Sequence, residues 1–200
     1  EKISSLPKEA PFFIFLHTYL VHCPYNPPAP FASKFETPGA EKLDLRYCGA
    51  HYNKRPDLSK NHAIYLSDHY DGSISYLDSL LGVFFSDLKQ QGTLDNTVII
   101  LTSDHGDSFL EHGRIGHQES LHNELLMIPL IISGPGLGSA RVQTPVSLVD
   151  IFPTILELAE IPVPNVAQGH SLLARLDSRS ERSKFPERYL SELDGKVQLR

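Results

Sequence analysis

Thr97-Val-Ile-Ile-Leu-Thr-Ser-Asp-His-Gly-Asp107 decides the fold class. It joins a β-branched apolar run, Thr97 to Thr102, to a polar loop that opens on an Asp and a His. So short and continuous an apolar run reads as a strand buried in a sheet. In open α/β sheets, ligand sites gather in the loops beyond the strand C-termini. Ser103-Asp-His-Gly-Asp107 stands where that rule puts a site. A carboxylate oxygen and an imidazole nitrogen can turn toward one divalent cation if the backbone bends, and Gly106 permits the bend. The same residues also read as an ordinary polar loop with an Asp turn and a solvated His.

Upstream, Ile64, Tyr70, Ile74, Leu77, Leu81, Phe84 and Leu88 recur at helical spacing, which predicts an amphipathic helix from about Asn61 to Gln91, closed by Gly92. Leu94-Asp-Asn96 is a turn. Phe12 to Leu16 reads as another strand buried on both faces, and the Pro-rich stretch His22 to Pro30 as an extended loop. Residues 31–60 read as a turn-rich surface excursion. Downstream comes a His-rich loop holding His112, His117 and His122. A third strand, Ile128 to Ser133, has an irregular start at Pro129. Ser147 caps a helix running to Leu158, with Pro153 near its first turn. Tyr189 to Arg200 reads as a hairpin turning at Asp194-Gly195. Strand, helix, strand, loop, strand, helix is an α/β pattern.

Composition removes several function classes. With 40% apolar and 21% charged residues, the chain is that of a globular protein rather than a disordered one. No apolar run approaches the length of about 18–20 residues that crosses a bilayer. A net charge of −6 argues against nucleic acid as the main partner. Two cysteines cannot staple a scaffold. Glu1 opens the chain without a signal-peptide pattern, and the sequence reads as an interior piece of a longer protein.

Taken in order, these pieces resemble the sulfatase branch of the alkaline phosphatase superfamily. Phe13-Ile-Phe-Leu16 leading to His22-Cys-Pro-Tyr25 is similar to the family's strand followed by His-x-Pro-His or His-x-Pro-Tyr. Tyr70 to Asp78 resembles the helix that follows, and Leu94-Asp-Asn-Thr97 leads into Thr102-Ser-Asp-His-Gly-Asp107. Glu111-His-Gly113, Gly116-His117, Ile128 to Ile132 and Gly134-Pro-Gly136 come next in family order, then Val149-Asp-Ile-Phe-Pro-Thr154 and Gly169-His-Ser-Leu172.

The resemblance implies part of an alkaline-phosphatase-like mixed sheet flanked by helices. Residues 1–175 would be a partial catalytic domain and 176–200 the start of a C-terminal segment. It implies a sulfuric ester hydrolase using formylglycine and a divalent metal, calcium first, with manganese or zinc open. By the resemblance, Asp104 and His105 are metal ligands, His22 contacts the sulfate group or assists the leaving oxygen, and His117 stands where many sulfatases have a Lys reaching the sulfate. The expected partner is a small-molecule or carbohydrate sulfate ester, and the expected compartment secreted, periplasmic or lysosomal. Neither Cys23 nor Cys48 opens a Cys-x-Pro/Ala-x-Arg formylglycine motif, and Ser5-Leu-Pro-Lys-Glu9 lacks the Arg. That motif and an acidic pair of metal ligands would lie upstream of Glu1, so the isolated chain is expected to be inactive. A phosphoryl-group hydrolase or transferase of the same superfamily, or a non-catalytic remnant, are the rival readings. Tyr19, Tyr25 and Phe31 read as loop packing, and Glu181 to Arg188 as a mixed-charge surface; His51, His62, His69 and His170 have no motif support.

Overall fold

A computed structural model of the chain describes residues 10–46, 49–117, 120–139, 141–173, 190–193 and 196–199. In chain order the elements are α1 (Gly49–Tyr52), α2 (Lys60–Gln90), β1 (Ile99–Thr102), β2 (Ser108–Phe109), β3 (Ile115–Gly116), α3 (Asn123–Leu126), β4 (Leu130–Ser133), α4 (Ile151–Leu158), β5 (Leu190–Leu193) and β6 (Lys196–Leu199). They fall into two units, Glu1–Val98 with His105–Ile128, and Ile99–Asp104 with Pro129–Arg200.

The first unit is built on α2, about 46 Å long at 1.5 Å per residue. Ser59 caps it: the Ser59 hydroxyl accepts from the His62 amide at 3.2 Å, and His62 Nδ1 accepts from the Ser59 amide at 3.0 Å. Gly92, at φ +68°, takes the left-handed position just past the end. Of the expected face, Leu88 is buried and Tyr70 packs on the core, but two positions depart from it. Ile64 and Ile74 are exposed, while Ala63, Leu66, Gly72 and Ser73 are buried. Small side chains win here because the loop from Pro27 to Phe31 lies close; a Cβ on Gly72 would stand 2.6 Å from the Phe31 carbonyl. The core beside α2 comprises Cys23, Tyr25, Leu43, Tyr52, Ala63, Leu66 and Ile115.

Residues 31–60 are therefore more than a surface excursion. Leu43 and Tyr52 enter the core, and the Tyr52 hydroxyl donates to the Asp44 carbonyl at 2.6 Å. Buried Asp68 accepts from the Thr37 amide at 2.8 Å and its hydroxyl at 2.9 Å, which ties this segment to the helix. Phe12 to Leu16 corrects a second expectation. It forms no strand, and Phe15 is 80% exposed. No described strand pairs with it. The His-rich loop holds structure the sequence did not announce, an antiparallel hairpin with Ser108 opposite Gly116 and Phe109 opposite Ile115.

In the second unit β1 and β4 pair antiparallel, Ile99 opposite Ser133 through Thr102 opposite Leu130. Ladder pairing starts after Pro129, which has no N–H to offer. Asp150 organises the helix start: its carboxylate accepts from the Ser147 amide at 3.0 Å and the His170 amide at 2.9 Å. Fully buried Thr154 accepts from the Leu172 amide at 2.9 Å. Pro153 sits in the first turn of α4, as expected. β5 and β6 form the expected hairpin, Leu193 opposite Lys196. Its turn, Asp194-Gly195, and the Glu181 to Arg188 segment lie outside the described residues.

Candidate active site

Gly106 makes the bend in the first unit. Its amide donates to the Leu125 carbonyl at 2.9 Å, so the chain passes directly against α3. A Cβ at Gly106 would collide with the Glu124 carbonyl, which leaves glycine as the residue that fits. His105 and Asp107 flank this bend, and β2 then leads through the hairpin to Gly116 and His117. Gly116, at φ +88°, packs against Gly49, where a Cβ would lie 3.1 Å from the Gly49 Cα. His22 arrives from the other side, ahead of the buried Cys23 and Tyr25.

Asp107 is the hub. Its Oδ2 accepts from the Tyr25 hydroxyl at 2.6 Å, and its Oδ1 lies 2.8 Å from His117 Nδ1. The His105 and His117 rings stack with centroids 4.0 Å apart, and His22 meets His117 edge-on at 5.2 Å. Nδ1 of His22 sits 2.6 Å from the Cys23 carbonyl, and Nδ1 of His105 sits 2.9 Å from the Gly106 carbonyl. A carbonyl or carboxylate can only accept, so Nδ1 carries the proton in all three rings. In the neutral ring Nε2 is then the lone-pair nitrogen, the tautomer that binds a metal or takes a proton.

Ligand atoms of His105, Asp107 and His117 lie within 4.8 Å of one another, a group able to hold a metal ion. Two imidazoles and a carboxylate suit a borderline divalent ion. Of the residues expected at the site, His22, His105 and His117 come together. Asp104 is exposed at the end of β1, belongs with the second unit, and is not one of the three grouped ligands. Asp107 and Tyr25 were missed. The one signal for Asp107 was its place in the same polar segment, two residues beyond His105 across the Gly106 bend. Tyr25, read as loop packing, is instead 1% exposed.

Burial, and then the Asp107 carboxylate beside it, push the Tyr25 phenol above its usual value of 10.0. The folded chain holds this proton more tightly than the unfolded chain. The stabilisation it gives is complete below the unfolded value and is lost as pH rises above it. Stability should therefore fall as pH rises beyond about 10, and Tyr25→Phe should flatten that fall. Urea midpoints measured from about pH 8 to 11 check this; parallel curves for the two proteins would refute it.

The model of the family described as Sulfatase matches residues 2–161. Arylsulfatase K of Danio rerio is 41% identical over 110 residues, covering 54% of this chain and 21% of that protein. The chain thus spans about a fifth of the length of the curated relatives it matches. Among solved structures, a phosphonate monoester hydrolase from Silicibacter pomeroyi superposes with a TM-score of 0.70 at 26% identity, covering 86% of this chain and 38% of that one. Another, described in complex with its substrate D-glucosamine-2-N,6-O-disulfate, gives 0.58 at 25% identity, covering 76% and 34%. The architecture is the α/β one of alkaline-phosphatase-like enzymes. With the family model covering most of its length, the chain belongs to the sulfatase family.

Proposed function

We propose that this chain forms part of a metal-dependent sulfuric ester hydrolase of the formylglycine type, acting on a small-molecule or carbohydrate sulfate. The observation that carries this reading is the meeting of His22, His105, Asp107 and His117 beside the bend at Gly106. When bound, the divalent ion supplies positive charge that stabilises a charged transition state. The resemblance points to calcium and to Asp104 with His105 as ligands. The donor set around His105 fits manganese or zinc better, since calcium favours oxygen ligands. Residues 1–175 belong to the catalytic domain in this reading, and 176–200 open the C-terminal segment.

The residues have distinct tasks. His22, when it carries a proton on Nε2 as well as on Nδ1, would give that proton to the leaving oxygen as its bond to sulfur breaks, and His117 would face the sulfate group beside it. Asp107 holds the His117 tautomer, and the neutral Tyr25 hydroxyl fixes Asp107 in turn. The two cysteines lack the context of a formylglycine precursor, so the isolated chain is expected to show no turnover. Relatives of such enzymes work outside the cytosol, and a secreted, periplasmic or lysosomal setting suits this reading.

A second reading, hydrolysis of a phosphonate or phosphate ester, is favoured by the likeness to the phosphonate monoester hydrolase. One assay separates them. The full-length protein, loaded in turn with calcium, manganese and zinc, is given aryl sulfate, sulfated glucosamine and aryl phosphonate. Sulfate-ester turnover that exceeds phosphonate turnover and disappears in His22→Ala is the expected result. The reverse preference would replace the sulfatase reading with the phosphoryl one.

A further inference from the structure

His22 reaches the site on a tight turn. Its amide donates to the Tyr19 carbonyl at 3.0 Å, and within the turn the Leu20 amide donates to the Thr18 hydroxyl at 3.2 Å. The turn holds the Tyr19 ring edge-on to the His22 ring, with centroids 5.3 Å apart. The same His22 ring meets His117 at 5.2 Å, so Tyr19 stands one ring away from the Asp107 cluster. His17 packs edge-on against Tyr19 at 4.8 Å, and Phe15 stacks with His17 at 6.2 Å. Phe15, His17 and Tyr19 thus form a row of rings that ends at His22. Tyr19 is 68% exposed. Among the described residues, its hydroxyl makes no hydrogen bond.

An aromatic ring that is fixed by its backbone, open to water and in contact with a site side chain has the form of a ligand surface. Its face suits a flat partner, either another aromatic ring or the C–H face of a pyranose. The Asp107 cluster can recognise an oxyanion, but it offers nothing that reads the group esterified to that anion. His22 is the residue that would protonate the leaving oxygen, and the alcohol part of the ester is bonded to that oxygen. A ring in that alcohol comes within reach of Tyr19, at the spacing of about 4.5–7 Å over which rings attract. A methyl group in the same place has no face to present.

The geometry points to Tyr19 as a specificity-determining residue, selecting esters whose alcohol is a ring, aryl or pyranose, over small acyclic ones. His17 braces the Tyr19 ring. The inference rests on the hydrolase reading for one thing, an oxyanion held at His22 and His117.

The test is calorimetric titration of the full-length protein with three phosphonates, whose carbon–phosphorus bond is not an ester: methylphosphonate, phenylphosphonate and the phosphonate isostere of glucose 6-phosphate. At least one ring probe should bind about tenfold more tightly than methylphosphonate. A gain with the phenyl probe alone marks an aryl ester, and with the sugar probe alone a pyranose; either supports the selection. Tyr19→Ala should bring that ring probe to within about twofold of methylphosphonate and leave methylphosphonate itself unchanged. Tyr19→Phe keeps the ring and should keep the gain. Equal affinity for all three probes in wild type would overturn the inference, as would a gain that survives in Tyr19→Ala. An equal loss of every probe in Tyr19→Ala would also overturn it, since Tyr19 would then only hold His22 in place. Turnover of aryl or sugar sulfates that is indifferent to Tyr19→Ala would sink the inference and leave the hydrolase reading standing. Failure of all three probes to bind wild type would strike the oxyanion site itself, and the inference with it.

Discussion

Replacing Asp107 with Asn should lower sulfate-ester turnover by about three orders of magnitude while leaving the fold intact. An amide is close in shape to the carboxylate, and its oxygen can still accept from the Tyr25 hydroxyl 2.6 Å away. Facing His117 Nδ1 at 2.8 Å, however, it would offer an N–H instead of an oxygen. His117 then turns to the other tautomer, with its proton on Nε2, and the site loses the lone pair that this nitrogen would offer a metal ion. The nitrogen-15 spectrum of His117 reads the tautomer directly, independently of rate. Tyr25→Phe removes only the outer hydrogen bond and should cost about tenfold. A turnover within tenfold of wild type in Asp107→Asn, with the His117 tautomer unchanged, would show that Asp107 does not position this ring.

Gly106→Ala should be severely damaging for a single added methyl. The new Cβ would run into the Glu124 carbonyl, with the Leu125 Cα 3.4 Å away. Both obstacles are backbone, and the Gly106 amide is bonded to the Leu125 carbonyl at 2.9 Å. The loop must leave α3 and take His105 and Asp107 with it. A loss of about 3 kcal/mol or more is expected, in the range of overpacked cores and broken networks. Gly82→Ala is the contrast: its Cβ meets nothing within 4 Å in the interior of α2, where alanine gains about 0.5–1 kcal/mol over glycine. Urea unfolding of both variants decides the matter. Gly106→Ala within about 1 kcal/mol of wild type would mean that the close approach is not what holds the loop.

Elements whose partners lie close in sequence were legible. α2 announced itself by period and by Gly92, the helix start at Ser147 by its cap, and the last hairpin by its turn residues. Phe12 to Leu16 was misread because an apolar run states what it would bury but not whether a neighbouring strand is there to bury it. Two positions on the packing face of α2 were misread for a related reason. Hydropathy favours Ile64 and Ile74, but close approach of the loop at Phe31 selects Gly72 and Ser73. At the site, His22, His105 and His117 could be named from order along the chain, whereas the Tyr25–Asp107 bond spans 82 residues and leaves no local trace.

The start of α2 carries one more consequence. In its capping box the acceptor is the His62 Nδ1 lone pair, where glutamate or glutamine is the customary choice. A carboxamide keeps its acceptor at every pH, but an imidazole surrenders that lone pair when a proton arrives. The Ser59 amide therefore depends on a ring whose other nitrogen, Nε2, lies 3.4 Å from Glu41, while the stretch around Leu66 depends on packing alone. The helix thus has a charge-dependent beginning and a charge-independent middle, with the Ser59 amide as the place where hydrogen exchange would first quicken.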